Sequence, residues 1–242
     1  MVLRSGFVFI IEDELTIRYN YNIKTIAIWR MVILNLERAK EKFGVREPFY
    51  KNELKDFLKI ENQNTFNQLL SNMNKFNVVK KMENGIYYFP SANERFKELK
   101  PSVSSVVNLK YLKNYNGIRT GAFLAYKYKL TSQVSGYYEI ITNNVSEHTR
   151  AKKEYDGKVI VSSSKFNIDK NNYLYAEFLE LVNNMNYSDY DYKKTLNLII
   201  EVFKEMNLDI QKTKKLAKNY RGSVYASYLR KVQDILNEIT SK

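Results

Sequence analysis

Cysteine is absent from the 242-residue chain, and histidine occurs once, at His148. Without cysteine there is no disulfide framework and no thiolate zinc site, as in chains adapted to a reducing cytoplasm. One imidazole leaves almost no room for histidine-built metal centres or His-dependent catalytic triads. No stretch of about 18 apolar residues occurs, so no membrane span is expected. The start MVLRSGFVFIIEDEL holds one short apolar run, 6–11, followed by three acids. It is too short for a signal-peptide core and lacks a small-residue cleavage site. No glycine loop suited to cradling phosphate appears, and no nucleophile stands with a base. The expectation is a cytoplasmic, non-enzymatic protein with no catalytic residues, no metal and no cofactor.

What is present supports real cores. Apolar residues make up 44% and aromatics 14% of the chain, enough to exclude wholesale disorder. The length allows one large or two modest domains. The formal net charge is +13, which has two readings. An AT-rich genome inflates Lys, Asn, Ile and Tyr together, and this chain is rich in all four. Alternatively the excess forms a field that attracts polyanions. Charge alone does not choose between them; its placement must.

Along the chain, residues 23–43 settle into helical spacing through Ile26, Trp29, Ile33, Leu36 and Phe43, with Gly44 placed to end the helix in an αL cap. Pro48 opens a second short helix at about 50–59, with Leu54, Phe57 and Leu58 inward. After a connection carrying Ile60, a third helix is predicted from about Asn62 to Phe76. Phe66, Leu69, Leu70, Met73 and Phe76 form its apolar stripe at i, i+3, i+4, i+7 spacing. Then comes VVKKMENGIYYFP, in which Asn84-Gly85 between apolar runs predicts a hairpin with a type I′ turn. A lone hairpin is not stable, so it must lean on the helices through residues such as Val79 and Tyr87.

Helix, helix, turn, helix, hairpin is the order of a winged helix-turn-helix, whose third helix enters the DNA major groove. The face of that helix opposite its apolar stripe carries Asn64, Gln68, Ser71 and Lys75, flanked by Asn67 and Asn72; with Asn62, Gln63, Thr65 and Asn67, the first four are the candidate DNA contacts of the helix. Asparagine and glutamine can pair with adenine N6 and N7 in a bidentate way, which suits A·T-rich DNA. Lys80 and Lys81 on the wing are placed for phosphate, one of the two directly if the strand is regular. Set against this, the amides could be solvated positions in an Asn-rich protein, and the lysines could guard a hairpin edge.

A polar segment between Pro90 and Pro101 marks a boundary, dividing the chain into domains 1–92 and 93–242. Beyond it, 121–130 reads as a short helix, 137–144 and 158–164 as strands, and 171–185 as a helix with Leu174, Phe178, Leu181 and Val182 on one stripe. The connection between the strands, with His148 beside Glu147 and Arg150, reads as charged surface. The pairs Glu154/Asp156 and Glu177/Glu180 read as ordinary charge mixing. Three helical stretches with a basic excess, at Lys212, Lys214, Lys215, Lys218, Arg221, Arg230 and Lys231, close the chain. The fold class expected is α+β: an N-terminal winged helix-turn-helix, then a mixed α/β domain with a helical tail.

The block NGIRTGAFLAYKYKLTSQVSGYYEIITNN (116–144) has a Gly-Ile-Arg start, a small-residue helix opening, a Leu-Thr-x-Gln-Val turn and a strand ending in Thr-Asn. It resembles the antitoxin domain of the AbiEi family, from type IV toxin–antitoxin (abortive infection) systems. The preceding FYKNELKDFL and NTFNQLLSNMNKFNVVKKMENGIYYFP resemble that family's N-terminal winged domain. Together the similarity covers roughly residues 45–185. It implies a repressor that binds inverted repeats in its own promoter, with possible self-association on operator DNA. It also implies antagonism of a nucleotidyltransferase-like toxin without a stable complex. On this resemblance Gly117, Arg119, Thr120 and Gly121 are the signature of the antitoxin domain, with Lys127 and Lys129 on its functional surface. The chain departs from the pattern at Ser135-Gly136, where relatives often carry proline, and at the acidic wing tip Glu83. Residues 1–22 match nothing assigned. The alternative is a non-catalytic interaction module that uses the winged domain and the basic tail to hold partners; an enzyme acting on nucleic acid has no constellation to support it.

Overall fold

The computed structural model describes residues 35–91, 99–146 and 151–241. These form a mixed α+β protein with two separate sheets. The chain divides into two compact units, residues 1–106 and 107–242. The compositional boundary at 92/93, residues 1–22, the Ile26–Ile33 part of the first helix and His148 all lie outside the described residues.

In the first unit, helix α1 (35–43) ends at Gly44, whose φ of +84° and N–H bond to the Lys40 carbonyl make the expected αL cap. A strand follows where the sequence suggested the start of a helix: β1 (Pro48–Tyr50). It is an edge strand and proline is its first residue, a position where a missing N–H costs little. Helix α2 (Lys51–Phe57) begins directly after it, with the Glu53 carboxylate accepting from the Tyr50 N–H at 3.0 Å. Helix α3 (Gln63–Lys75) is started by Asn62, whose Oδ1 accepts from the Thr65 N–H. It ends in a Schellman arrangement. Asn77 takes φ +57°, and the Val78 and Asn77 N–H groups return to the carbonyls of Met73 and Asn74.

That reversal delivers β2 (Lys80–Glu83) and β3 (Ile86–Tyr88), and the three strands pair antiparallel in the order β1-β3-β2. The hairpin forms at Asn84-Gly85 as expected, but its turn is not type I′. Only Gly85 takes a positive φ, +79°, and the register slips between Lys81 and Glu83. A bulge in β2 supplies the local twist that the primed turn would otherwise provide. Phe49, Leu54, Phe66, Leu69, Leu70, Met73, Val79 and Phe89 pack as one core, with Tyr87 partly buried against it.

In the second unit, α4 (Val103–Val107), which carries the division between the units, runs into a π-helical turn at Asn108–Leu112. Next come β4 (Gly117–Thr120) and α5 (Gly121–Lys127), then β5 (Tyr138–Thr142), β6 (Lys152–Glu154) and β7 (Val159–Ser163). The sheet order is β4-β5-β7-β6, with β5 and β7 parallel and the outer pairs antiparallel. Strands β4 and β6 were not expected. β6 is three residues of lysine and glutamate on an edge, without the apolar alternation that marks a strand. Helices α6 (Tyr173–Asn183), α7 (Tyr192–Glu205), α8 (Ile210–Ala217) and α9 (Ala226–Thr240) complete the unit. Asp191 and Asp209 cap α7 and α8 by accepting N–H bonds from Lys194 and Lys212. Phe178, Leu181, Ile199, Phe203, Ile235 and Leu236 fill the core between these helices. Leu174 departs from the predicted stripe and lies 45% exposed at the start of α6.

Candidate nucleic-acid interface and a buried polar cluster

Helix α3 is amphipathic in the required sense. Phe66 and Met73 are fully buried, while Asn64, Asn67, Gln68, Ser71 and Lys75 are exposed and Thr65 is half-buried. Packing leaves the amide side open. The amides nevertheless differ in what they have left to offer. Asn62 commits its oxygen to the helix cap. Gln63 accepts from the Lys55 ammonium and donates to the Asn67 carbonyl oxygen, both at 3.0 Å. Among the described residues no hydrogen bond holds the side chains of Asn64 and Gln68.

The hairpin is tied to the same helix. Asn74, at the C-terminal end of α3, accepts the backbone N–H of Lys81 through its side-chain oxygen at 3.0 Å. That bond fixes the hairpin's first strand to the helix beside it. Lys81 is exposed; Lys80 is half-buried, on the other face of the strand and opposite the buried Tyr88. Phe49, Tyr87 and Lys81 share one sheet face, the face that meets the helices. Lys81 is therefore the hairpin lysine carried on the side of α3.

In the second unit the four signature residues meet at the β4–α5 junction. A Cβ on Gly117 would lie 2.6 Å from the carbonyl oxygens of Ile141 and Tyr111, which are backbone and cannot step aside. A Cβ on Gly121, whose φ is +65°, would run into the Glu139 carboxylate. The position of Gly117 needs glycine for space, and that of Gly121 for its conformation. Arg119 stacks over Phe123 and Tyr138 and donates to Asn108. Lys127 is half-exposed, its ammonium held by Glu177 at 2.7 Å, and Lys129 is exposed with φ +59°. These residues build the junction, and Lys129 alone of them stands outward with its side chain unbonded among the described residues, its N–H donating to the Tyr126 carbonyl.

The sequence reading of Glu177 and Glu180 as ordinary charge mixing is corrected by their burial on α6. Glu177 and Glu180 are each 3% exposed. Glu177 accepts from Lys127, Tyr128 and Tyr173, at 2.6–2.9 Å. Glu180 accepts from Tyr220 at 2.6 Å, Thr120 at 3.2 Å and Asn183 at 3.4 Å. Burial raises the Glu180 carboxyl above its ordinary range, against those three hydrogen bonds. The available signal is that both acids sit in YLYAEFLELV, a helix apolar on every side, which offers a carboxylate no solvated face. Besides Tyr173 and Asn183 on the same helix, their partners lie 40–60 residues away and show no local spacing. Glu180, Thr120 and Asn184 also line a cleft of about 370 Å³ beneath β5 and β7.

A third acid behaves oppositely. Glu154 on β6 loses solvent on folding, which disfavours its charge, yet hydrogen bonds from Lys152, Tyr111 and Lys110 bring it down to about 2. None of these clusters brings three metal-ligating side chains together among the described residues. No described helix is long and apolar enough to cross a membrane. Comparison with known proteins finds no family model that matches the chain and no curated protein similar to it at a significant level.

Proposed function

We infer that residues 35–91 act as a winged helix-turn-helix that binds double-stranded DNA, and that the chain is an AbiEi-like antitoxin that represses its own operon. The observation that carries the DNA reading is the uncovered amide side of α3 with a wing pinned beside it through Asn74 and Lys81. Strand order β1-β3-β2 after a helix–strand–helix–helix path supports the same reading, because it sets the wing at the end of the third helix. The antitoxin half rests on the resemblance of residues 116–144 and on the two glycines that the β4–α5 junction requires.

In this mechanism α3 enters the major groove, Asn64 and Gln68 contact base edges, and Lys81 reaches phosphate. The second unit antagonises a nucleotidyltransferase-like toxin without a lasting complex. The deciding measurement is a gel shift with the duplex upstream of the reading frame, at two salt concentrations, against a scrambled duplex. Preferential retardation that weakens with salt is expected; equal retardation of both duplexes removes the repressor.

A second reading, a partner-binding module, is favoured by one groove. Helices α8 and α9 enclose about 420 Å³ lined by Leu229, Val232 and Leu236, with Lys214, Lys215 and Lys218 along its rim. An apolar floor under a row of ammonium groups matches an acidic amphipathic helix. Formation of a complex with a protein partner in the absence of DNA, lost in Leu229→Glu, would favour this reading over the first.

A further inference from the structure

One face of the second unit's sheet is left partly open. Side chains alternate along a strand, so the register pairs Thr120↔Glu139, Glu139↔Ile160 and Ile141↔Ser162 put these five residues on one face. That face borders the cleft of about 370 Å³, which is also lined by Asn184 at the end of α6 and by Lys165. Several groups lining it are left with little to bond. Glu139 is half-buried, and the one hydrogen bond its carboxylate accepts among the described residues is long, 3.5 Å from the Tyr187 hydroxyl. The Ser162 hydroxyl has no hydrogen-bond partner among the described residues. The Lys165 ammonium lies over the Tyr225 ring, 5.4 Å from its centroid, and pairs with no described carboxylate. Both N–H bonds of the Asn184 amide are engaged, with Thr120 at 2.8 Å and the Glu180 carbonyl at 2.7 Å, so its oxygen is what it can offer a ligand. One cleft thus carries a carboxylate and an ammonium that do not pair with each other.

We propose that this cleft binds a short zwitterion of peptide character, its ammonium at Glu139 and its carboxylate at Lys165; the site is independent of the DNA-binding reading above. A ligand with a single charge would displace water from both wall charges and compensate only one, which is unfavourable. A ligand carrying both signs compensates both. Peptide N–H groups match the Asn184 oxygen, a peptide carbonyl matches the Ser162 hydroxyl, and Ile141 and Ile160 supply an apolar floor. The length follows from the sheet. Glu139 is level with Ile160, and Lys165 comes two residues after β7 ends at Ser163. The three steps from Ile160 to Ser163 cover about 10 Å at about 3.3 Å each. A single amino acid is too short to join the two charges, whereas an extended tripeptide spans about 10 Å.

The experiment is isothermal titration calorimetry of the full chain with triglycine, compared with glycine, N-acetyl-triglycine and triglycine amide. Triglycine is expected to bind and glycine not to. Each capped tripeptide is expected to bind about tenfold or more weakly, the loss of one hydrogen bond between charged groups. Glu139→Gln keeps the shape of its side chain and Lys165→Met most of its length, and circular dichroism verifies that both variants are folded. Glu139→Gln is expected to weaken triglycine by a similar factor and to stop distinguishing it from the acetylated form. Lys165→Met is expected to do the same with respect to the amide. No saturable heat with triglycine, equal affinity for the three tripeptides, or an affinity for triglycine unchanged in both variants overturns the proposal.

Discussion

Helices α3 and α6 both carry polar side chains between apolar ones, and the two units treat them in opposite ways. Helix α3 turns its amides to solvent and buries only the apolar stripe. Helix α6 is buried throughout Ala176–Val182, with Glu177 and Glu180 at 3% exposure bound to tyrosines, a lysine and a threonine from distant parts of the chain. The difference shows that a polar residue's role is set by what the rest of the fold places against it. Solvated amides are free to meet a ligand. Buried carboxylates are committed to internal donors, and removing one strands the others.

The largest effect follows directly. Glu177→Ala leaves Lys127, Tyr128 and Tyr173 facing a vacated apolar site. Breaking a buried pair costs about 3–5 kcal/mol; with the Lys127 side chain 41% exposed and able to regain water, about 3 kcal/mol is expected. Gln68→Ala and Ser71→Ala on α3 should change stability by no more than about 0.5 kcal/mol. Urea unfolding of the three variants measures both sides, and equal losses would erase the distinction between the helices.

The β4–α5 junction sharpens it further. Gly117→Ala forces a methyl against two backbone oxygens, whereas Gly121→Ala meets the movable end of Glu139 plus the strain of φ +65°. Overpacking costs about 1–3 kcal/mol and a left-handed non-glycine residue about 1–2 kcal/mol. Gly117→Ala is expected to be the more destabilising, and Glu139→Ala should recover part of the loss in Gly121→Ala only. Recovery in both would mean that Gly117 has room the structure denies it.

On the open helix the readout is recognition, not stability. Gln68→Ala and Asn64→Ala should each lower the preference for operator over random DNA by about 1–3 kcal/mol, with unfolding unchanged. Equal losses on both DNAs, measured by anisotropy titration, would move these residues onto phosphates.

The acids of the second unit supply a pH contrast of opposite sign. Burial raises Glu180, so its folded carboxyl sits above the unfolded value, and folding becomes less favourable as pH rises through that interval. Glu154 is held down to about 2, so its contribution is present above the ordinary carboxylate range and is lost as pH falls toward 2. Glu180→Gln should therefore gain stability relative to wild type as pH rises above the ordinary carboxylate range, on the order of 1 kcal/mol for each pKa unit removed. A difference independent of pH would show that Glu180 does not change its charge in that range.

Local periodicity sufficed where an element's partners are near in sequence. The stripe of α3, the Gly44 cap, the hairpin and the three tail helices follow from spacing and turn residues within about a dozen positions. The edge strands β1 and β6 did not, because three residues hold no period and their pairing is decided by β3 and β7. The open side of α3 was legible because amphipathicity states which face is left over. The hydrogen-bonded chain Lys55–Gln63–Asn67 was not, since it joins two helices across a turn whose geometry depends on the left-handed Lys59 at φ +53°. The burial of Glu177 and Glu180 was equally hidden, its donors coming from β4, α5 and the α8–α9 connection.

The smallest effect tests whether the wing belongs to the open surface or only props it. The Lys81 backbone is anchored by Asn74, so its side chain holds a fixed station beside α3, whereas Lys80 lies half-buried on the other face. Lys81→Ala should weaken operator and random DNA alike and reduce the slope of log K against log salt by about one unit, the signature of one phosphate contact. Lys80→Ala should shift it less. Asn74→Ala keeps every charge but frees the strand, so it should weaken binding while leaving the slope near that of the wild type. Were Lys80 the residue that changes the slope, the wing would present its opposite face to the duplex, and the shared surface of α3 and β2 would no longer be the binding face.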